Sequence, residues 1–357
     1  METNTSVQML ERAAVATAVT IKLGLDLHAN QVTVCRQIEG RLPQPAQKLT
    51  VAELLRLVQD HRARGHTVYT CYEAGPCGYG LHRQLQAIGA TNYVVAPQVW
   101  DERRRQVKTD RRDARELCQR LDRYVRGNTD VFAVVRVPSE AEERRRLLCR
   151  QRTTLLRERQ RCELRGHGLM LAQGCDAPSG WWEPTAWREL APQIPPWLRE
   201  HLERWQQHAL QLQTELDALT PRIEAMSAGQ SAPKGLGALT NAILECEIGS
   251  WDRFHNRRQP GSYTGLCPSE DSSNKRRRQG SVTKHGNPRI RQLLVEAAWR
   301  MLEWQPDYPP IKKARLLRGR QRKRAIVAAA RQLAVDLWRL RTGRCTPQQL
   351  KLAMMEL

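Results

Sequence analysis

Four carboxylates in the first third of the chain, Asp26, Glu73, Asp110 and Asp113, have the types and the order that phosphodiester chemistry can use. Asp110 and Asp113 stand three apart in "KTDRRDA", so a helix would carry both on one face. Around them lie Arg103, Arg104, Arg105, Lys108 and Arg111, a cationic run of the kind that attracts phosphate. Converging carboxylates repel one another unless divalent cations neutralise them, and Mg²⁺ prefers such oxygen ligands. Two such ions about 4 Å apart activate an attacking oxygen and stabilise a leaving one. Taken singly, each acid reads more readily as an ordinary surface charge or helix cap, and a solvated amphipathic helix would look the same at "KTDRRDA". The order strand Asp, strand Glu, helix Asp-x-x-Asp favours the joint reading.

A second constellation lies in "CPSEDSSNKRRRQG", where Ser272 and Ser273 precede Lys275, Arg276, Arg277 and Arg278. Serine attacks a phosphodiester only when a base or metal takes its proton and cations hold the phosphate. The same residues suit a phosphate-binding loop with no covalent chemistry. In "PKGLGA", Gly235 and Gly237 fit the loop of a helix-hairpin-helix element that offers backbone N–H groups to phosphate, or a plain helix start after Pro233. "TKHGNPRIRQ", with Lys284 and Arg289, and "RGRQRKR" add further cations.

The elements that must position these residues are legible as periodicities. Ile21, Leu23, Leu25 and Leu27 alternate, and Val32 and Val34 alternate again after "HAN", which predicts a hairpin. "TVAELLRLVQDHRARG" is helical, "HTVYTCYEAG" a strand, "YGLHRQLQAIG" helical, "TNYVVAP" a strand, and a basic helix follows around Asp110. That alternation predicts an α/β domain with a mixed sheet. From Leu198 through Leu202, Trp205, Ala209, Leu212, Leu216, Leu219, Ile223 and Met226, apolar residues recur at 4,3 spacing, the stripe of a coiled coil. Pro221 is expected to kink that helix or end it early. An earlier helix carries Leu148, Leu155, Cys162 and Leu169 at intervals of seven, so the two form an antiparallel hairpin or pair between subunits. The connection "APSGWWEPTAWRELAPQIPP" predicts an ordered but irregular tip, and small helices alternating with basic loops are expected beyond residue 231.

The balance of 58 Lys and Arg against 37 Asp and Glu in 357 residues leaves +21, which favours a polyanionic partner. Apolar runs such as "AIVAAA" are far below the roughly 20 residues of a spanning helix, so no membrane is expected. The N-terminal residues do not read as a secretory signal, and a cytoplasmic location is expected. The ten cysteines include no CxxC pair and the nine histidines no HxxxH or HExxH, so zinc is not expected and the histidines read as ordinary imidazoles.

"GLDLHANQVTVC", "CYEAGPCGYGLHRQL", "YVVAPQVW" and "KTDRRDARELCQRL" resemble the RuvC-like domain of DEDD-type insertion-sequence transposases, a group that includes the Piv-type DNA invertases and bridge-RNA-guided recombinases. "PKGLGALTNAILECEIGSWDRF" and "GSYTGLCPSEDSSNKRRRQGSVTKHGNPRIRQLL" resemble the C-terminal domain of the same family, in the right order over roughly residues 21–340. The resemblance implies an α/β plus α protein: a RuvC/RNase H-like mixed-sheet domain at 21–138 after an extension at 1–20, a helical coiled-coil arm at 139–230, a mostly helical domain at 231–345 and a tail at 346–357. It assigns the metal-binding tetrad to Asp26, Glu73, Asp110 and Asp113 with Mg²⁺, and the nucleophile to Ser273, with Ser272 in reserve. It implies donor and target DNA as partners, an element-encoded guide RNA, and a dimer or tetramer. A junction nuclease without serine chemistry would use the same four carboxylates, and a non-catalytic nucleic-acid-binding protein would keep only the basic surfaces.

Overall fold

The alternating run from Ile21 becomes strand β1 (Thr20–Leu27), which pairs antiparallel with β2 (Val32–Ile38), Leu25 opposite Val34. This is a computed structural model, and it describes residues 18–97, 109–271 and 278–357. A short strand not expected from the sequence, β3 (Gln47–Leu49), pairs antiparallel with β2. Then come α1 (Val51–Ala63), β4 (Thr67–Glu73), α2 (Gly80–Ala87), β5 (Thr91–Val95) and α3 (Asp110–Val125). The start of α1 is set by a capping box in which Thr50 and Glu53 exchange hydrogen bonds.

The sheet runs β3-β2-β1-β4-β5, with β4 parallel to β1 and β5 parallel to β4. A central strand flanked on both sides loses one-face alternation: Ile21 to Leu25 are all buried, including Lys22 and Gly24. One face of the sheet packs Leu54, Val58, Leu81 and Leu85 from α1 and α2. Against the other lies α3, through Ala114, Leu117, Cys118 and Leu121. The small side chains of Cys35, Cys71, Ala114 and Cys118 let helix and sheet approach closely, and the three cysteines are buried there as small apolar residues.

By contacts the chain divides into Met1–Val137 and Pro138–Leu357. The second unit opens with α4 (Glu140–Ala172), capped by Ser139 and Glu142, and continues through α5 (Pro184–Leu190) into α6 (Pro196–Glu224). α4 and α6 pack against each other, and Leu198, Leu202, Ala209, Leu216, Leu219 and Ile223 of α6 are buried. Pro221 does not end α6 early: the helix continues to Glu224, because a proline in the last turn removes only one hydrogen bond near an already fraying end. On α4, Cys162 is buried as expected, but Leu169 is 38 % exposed and Met170 takes the buried place. A straight helix of 3.6 residues per turn drifts about 20° per heptad, enough to hand the seam to the next residue. At the tip Trp181 and Trp182 are buried, and the Trp181 indole N–H donates to the Glu163 carbonyl at 2.9 Å.

Strand β6 (Ser231–Pro233) leads into α7 (Ala238–Ile248), α8 (Arg258–Tyr263), the strand pair β7 (Pro268–Glu270) and β8 (Gln279–Val282), and then α9 (Pro288–Trp304), α10 (Pro309–Arg315) and α11 (Gly319–Arg341). Leu244, Ile290, Leu294, Ile311, Ile326 and Leu333 form their core. The base of the arm joins this part of the unit, since Cys149, Leu219 and Ile223 pack with Ala242 and Ile243 of α7. Residues 346–357, read as a tail, carry α12 (Pro347–Leu350) and β9 (Met354–Glu356), which pairs antiparallel with β6. Leu350 and Leu352 are buried, so this segment is part of the core.

Candidate active site

Parallel pairing brings the first two acids together. Leu25 of β1 lies beside Tyr72 of β4, so the next residue of each strand, Asp26 and Glu73, stands at the same C-terminal edge of the sheet. Such edges are where open α/β sheets place ligands. Helix α3 begins at that edge, with Asp110 and Asp113 in its first turn, where the helix dipole favours negative charge.

Two features hold α3 there. Gly24, two residues before Asp26, lies so close that a Cβ would come within 2.3 Å of the Ala114 carbonyl oxygen and of the Cys118 amide nitrogen. Farther along α3, the buried Lys22 ammonium meets the Asp122 carboxylate at 2.5 Å and donates to the Glu39 carbonyl at 3.0 Å. The same strand that carries Asp26 therefore sets the height and rotation of the helix that carries Asp110 and Asp113.

The result is a cavity of about 320 Å³ lined by Asp26, Glu73, Asp113 and Glu116, with Gly75 and Cys77 of the loop after β4. Glu116 is also paired to Arg120 at 2.6 Å. Asp110 joins the group through a residue not expected to take part: the His28 Nε2 lies 3.4 Å from a carboxylate oxygen of Asp26 and 3.4 Å from one of Asp110. Single ligand atoms of Asp26, His28 and Asp110 fall within 4.8 Å of one another. Lys48, on the unexpected strand β3, stands 3.6 Å from the same Asp110 oxygen. Carboxylates joined by one imidazole, placed to share a small central position, form a donor set that fits a divalent cation.

No histidine stood out in the sequence, and the structure sets His28 between the Asp26 and Asp110 carboxylates. Its one local signal was the Asp26-x-His28 spacing where β1 ends at Leu27, which metal-spacing rules built for helices do not register. Lys48 had no local signal, because its position depends on β3 pairing with β2.

The other predicted residues fall outside this cavity's lining or outside the described residues. Arg103, Arg104, Arg105 and Lys108 lie outside the described residues, and Arg111 is exposed on α3. Ser272, Ser273, Lys275, Arg276 and Arg277 also lie outside them, while Arg278 is exposed and its carbonyl accepts from the Asp271 amide at 2.9 Å. Lys284 is exposed with φ of 58°, and its carbonyl accepts from Arg291. Gly235, with φ of 102°, and Gly237 line a cavity of about 510 Å³ with Lys234, Arg300 and Trp304.

Arg289 has a partner the sequence did not suggest. Its Nε lies 3.9 Å from Glu247, a 2 % exposed carboxylate on α7 that Arg150 grips with two hydrogen bonds of 3.0 and 3.1 Å and Asn287 with one of 3.0 Å. Burial by itself pushes the Glu247 carboxyl up; the hydrogen bonds from Arg150 and Asn287 and the charges of Arg150 and Arg289 outweigh it, so its pKa lies below the usual carboxylate range. Asn287 also caps α9 by accepting from the Arg289 and Ile290 amides. Glu247 thus ties the segment before α9 to the base of the arm.

A sheet-edge acidic cluster and a strongly basic chain suit a protein that works on nucleic acid, and comparison with known proteins specifies the kind. Residues 231–310 match the Transposase IS116/IS110/IS902 family. Over 320 residues the chain is 34 % identical to the y4rJ protein of Sinorhizobium fredii, whose name describes a transposase, covering 81 % of this chain and 80 % of that one. It is 27 % identical over 294 residues to the transposase for insertion sequence element IS1111A of Coxiella burnetii, covering 76 % and 78 %. It is also 22 % identical over 302 residues to the transposase for insertion sequence element IS1533 of Leptospira borgpetersenii, covering 78 % and 84 %. The chain belongs to the IS116/IS110/IS902 family of insertion-sequence transposases. Among the described residues no helix is long and apolar enough to cross a membrane.

Proposed function

We propose that the chain cuts and rejoins DNA with a RuvC-like carboxylate site, Asp26, Glu73, Asp110 and Asp113, and a serine nucleophile, Ser273. The observation that carries the reading is the convergence of Asp26, Glu73 and Asp113 on one cavity, with Asp110 bridged to Asp26 through His28. The sheet order, with one hairpin followed by two parallel strands and a helix carrying two acids, supports the RNase H-like assignment. Asp26, Asp110 and His28 would hold a divalent cation, and Glu73 and Asp113 line the cavity beside Asp26. Mg²⁺ bound there would supply Lewis acidity toward the phosphate and lower the pKa of the attacking group.

The residues of the chain do the rest. Ser273 Oγ attacks a DNA phosphorus, forming a serine–phosphate ester as the bond to the leaving sugar oxygen breaks, and the proton lost by the serine ends on that oxygen. A second DNA oxygen later reverses the step and frees the serine. Lys275, Arg276, Arg277 and Arg278 offset the charge that develops on the phosphate. Arg103, Arg104, Arg105, Lys108 and Arg111, the Gly235 and Gly237 backbone, Lys284 and Arg289 hold donor and target DNA and an element-encoded guide RNA. The chain acts as a homo-oligomer, with 21–138, 139–230 and 231–345 as its functional regions.

The test is Asp113→Asn. The variant is expected to bind DNA and keep its thermal stability while losing Mg²⁺-dependent cutting. Wild-type recombination by this variant sinks the assignment.

A further inference from the structure

The surface where α10 meets α11 carries an excess of charge that its own fold does not use. From residue 312 to 324 the sequence "KKARLLRGRQRKR" holds Lys312, Lys313, Arg315, Arg318, Arg320, Arg322, Lys323 and Arg324 and no acid. All but the half-buried Arg322 are exposed. None has a carboxylate within ion-pair distance among the described residues, in a chain whose arginines elsewhere pair repeatedly with Glu and Asp.

The placement is unfavourable for the isolated protein. Lys312, Lys313 and Arg315 sit in the last turn of α10, where cations complement the helix dipole. Arg318, Arg320, Arg322, Lys323 and Arg324 lie instead at the start of α11, whose first turn has no acid and whose cap residue, Arg318, makes no side-chain capping bond. Cations there oppose the dipole and one another. Packing does not require them, because the buried residues of α11 begin at Ile326. Only the Arg322 Nε has a structural task, donating to the Leu317 carbonyl at 2.7 Å. A surface that opposes its own helix dipole and lacks internal anions is completed by an external polyanion.

We propose that the α10–α11 elbow is a sequence-independent clamp for the phosphate backbone of duplex DNA, built from residues other than those of the serine loop and the acidic cavity. The inference rests on the reading that the chain acts on DNA. Its chemistry points to backbone and not to bases. Residues 309–324 contain no aromatic side chain to stack an unpaired base and a single amide, Gln321, and eight cations crowded along thirteen residues suit a row of phosphates better than single base edges. Long, exposed, unpaired cations give up condensed counterions when they meet phosphates, and that release drives binding without sequence preference.

The experiment uses the full chain in magnesium-free buffer, so that cutting plays no part in the readout. Binding to a labelled DNA duplex of arbitrary sequence is measured by fluorescence anisotropy between about 50 and 200 mM salt. The variant Arg318→Gln/Arg320→Gln/Lys323→Gln/Arg324→Gln is expected to bind at least tenfold more weakly at the low-salt end, with a log–log salt slope shallower by about 3 to 4. Its thermal midpoint is expected to stay the same or rise, since charges opposing the dipole are gone. If it does not fold, Arg318→Gln/Lys323→Gln is expected to flatten the slope by about 2.

Replacing the three arginines of the set by lysine is expected to keep the wild-type slope. A folded Gln variant with wild-type slope overturns the clamp. Loss of slope in the Lys variant overturns its sequence-independent, point-charge character. A loss confined to duplex RNA overturns the assignment to DNA. A wild-type protein that binds DNA with this slope but never cuts it refutes the proposed chemistry and leaves the clamp standing.

Discussion

Gly24 shows how one residue without a side chain positions two that have them. A Cβ there would collide with backbone atoms of α3, which cannot swing aside as a side-chain tip would. Gly24→Ala is expected to destabilise the protein by about 1–3 kcal/mol through overpacking. It should also abolish metal-dependent DNA cutting by lifting Asp110 and Asp113 away from Asp26; chemical denaturation and a cutting assay report the two effects. The buried pair Lys22–Asp122 makes a related prediction. Asp122→Ala leaves a buried ammonium without its anion and is expected to cost about 3–5 kcal/mol. Restoration by Asp122→Glu but not by Asp122→Asn would identify charge as the cause. The sequence placed Asp26 and Glu73 at strand ends correctly, and it contained Gly24 and Lys22 in plain view. Their roles stayed hidden because each depends on a helix about 90 to 100 residues away.

At the scale of elements, the arm shows what periodicity alone leaves open. The stripe from Leu198 to Met226 allowed an antiparallel hairpin with the earlier helix or pairing between subunits, and within this chain it is covered by α4 and, at its base, by α7. Leu216→Ala is therefore expected to lower stability by about 2–5 kcal/mol without changing mass in light scattering. A shift to smaller species with stability intact would return the stripe to an intersubunit role. The Glu247 cluster joins the arm to α9 and predicts a pH dependence. Because the folded pKa is depressed, this carboxylate contributes stability above the unfolded value near 4.3, and the contribution is lost as pH falls through the folded pKa. Glu247→Gln should be less stable at neutral pH and show a flatter loss of stability on acidification, measured by thermal melts across pH 3 to 7, the range about the ordinary carboxylate values.

For the whole molecule, the net charge of +21 and the family assignment agree on DNA, and the covalent step is the part that a direct trap can decide. With matched DNA, and with a guide RNA where one copurifies, wild type is expected to give a protease-sensitive protein–DNA adduct on denaturing gels. Ser273→Ala should bind DNA and give none, whereas Ser272→Ala should retain it. The reverse pattern moves the nucleophile by one residue, and recombination without any adduct leaves the carboxylate site as a nuclease acting alone.

The sequence by itself determined what is encoded locally. Alternation in Ile21–Leu27 specified a strand, 3.6-residue spacing in α1 and α2 specified helices, and the ordered motifs placed the chain in its family. Tertiary structure alone decided which elements meet. It made β4 parallel to β1, so that Asp26 and Glu73 end side by side, and it formed β3 from three residues that acquire their strand character by pairing with β2. It turned Met170 inward in place of Leu169, drew residues 346–357 into the core, and set His28 between two carboxylates. Hydrophobic period and capping act over one or two turns of chain, whereas these outcomes depend on twist, close approach and pairing between segments distant in sequence, which no local window contains.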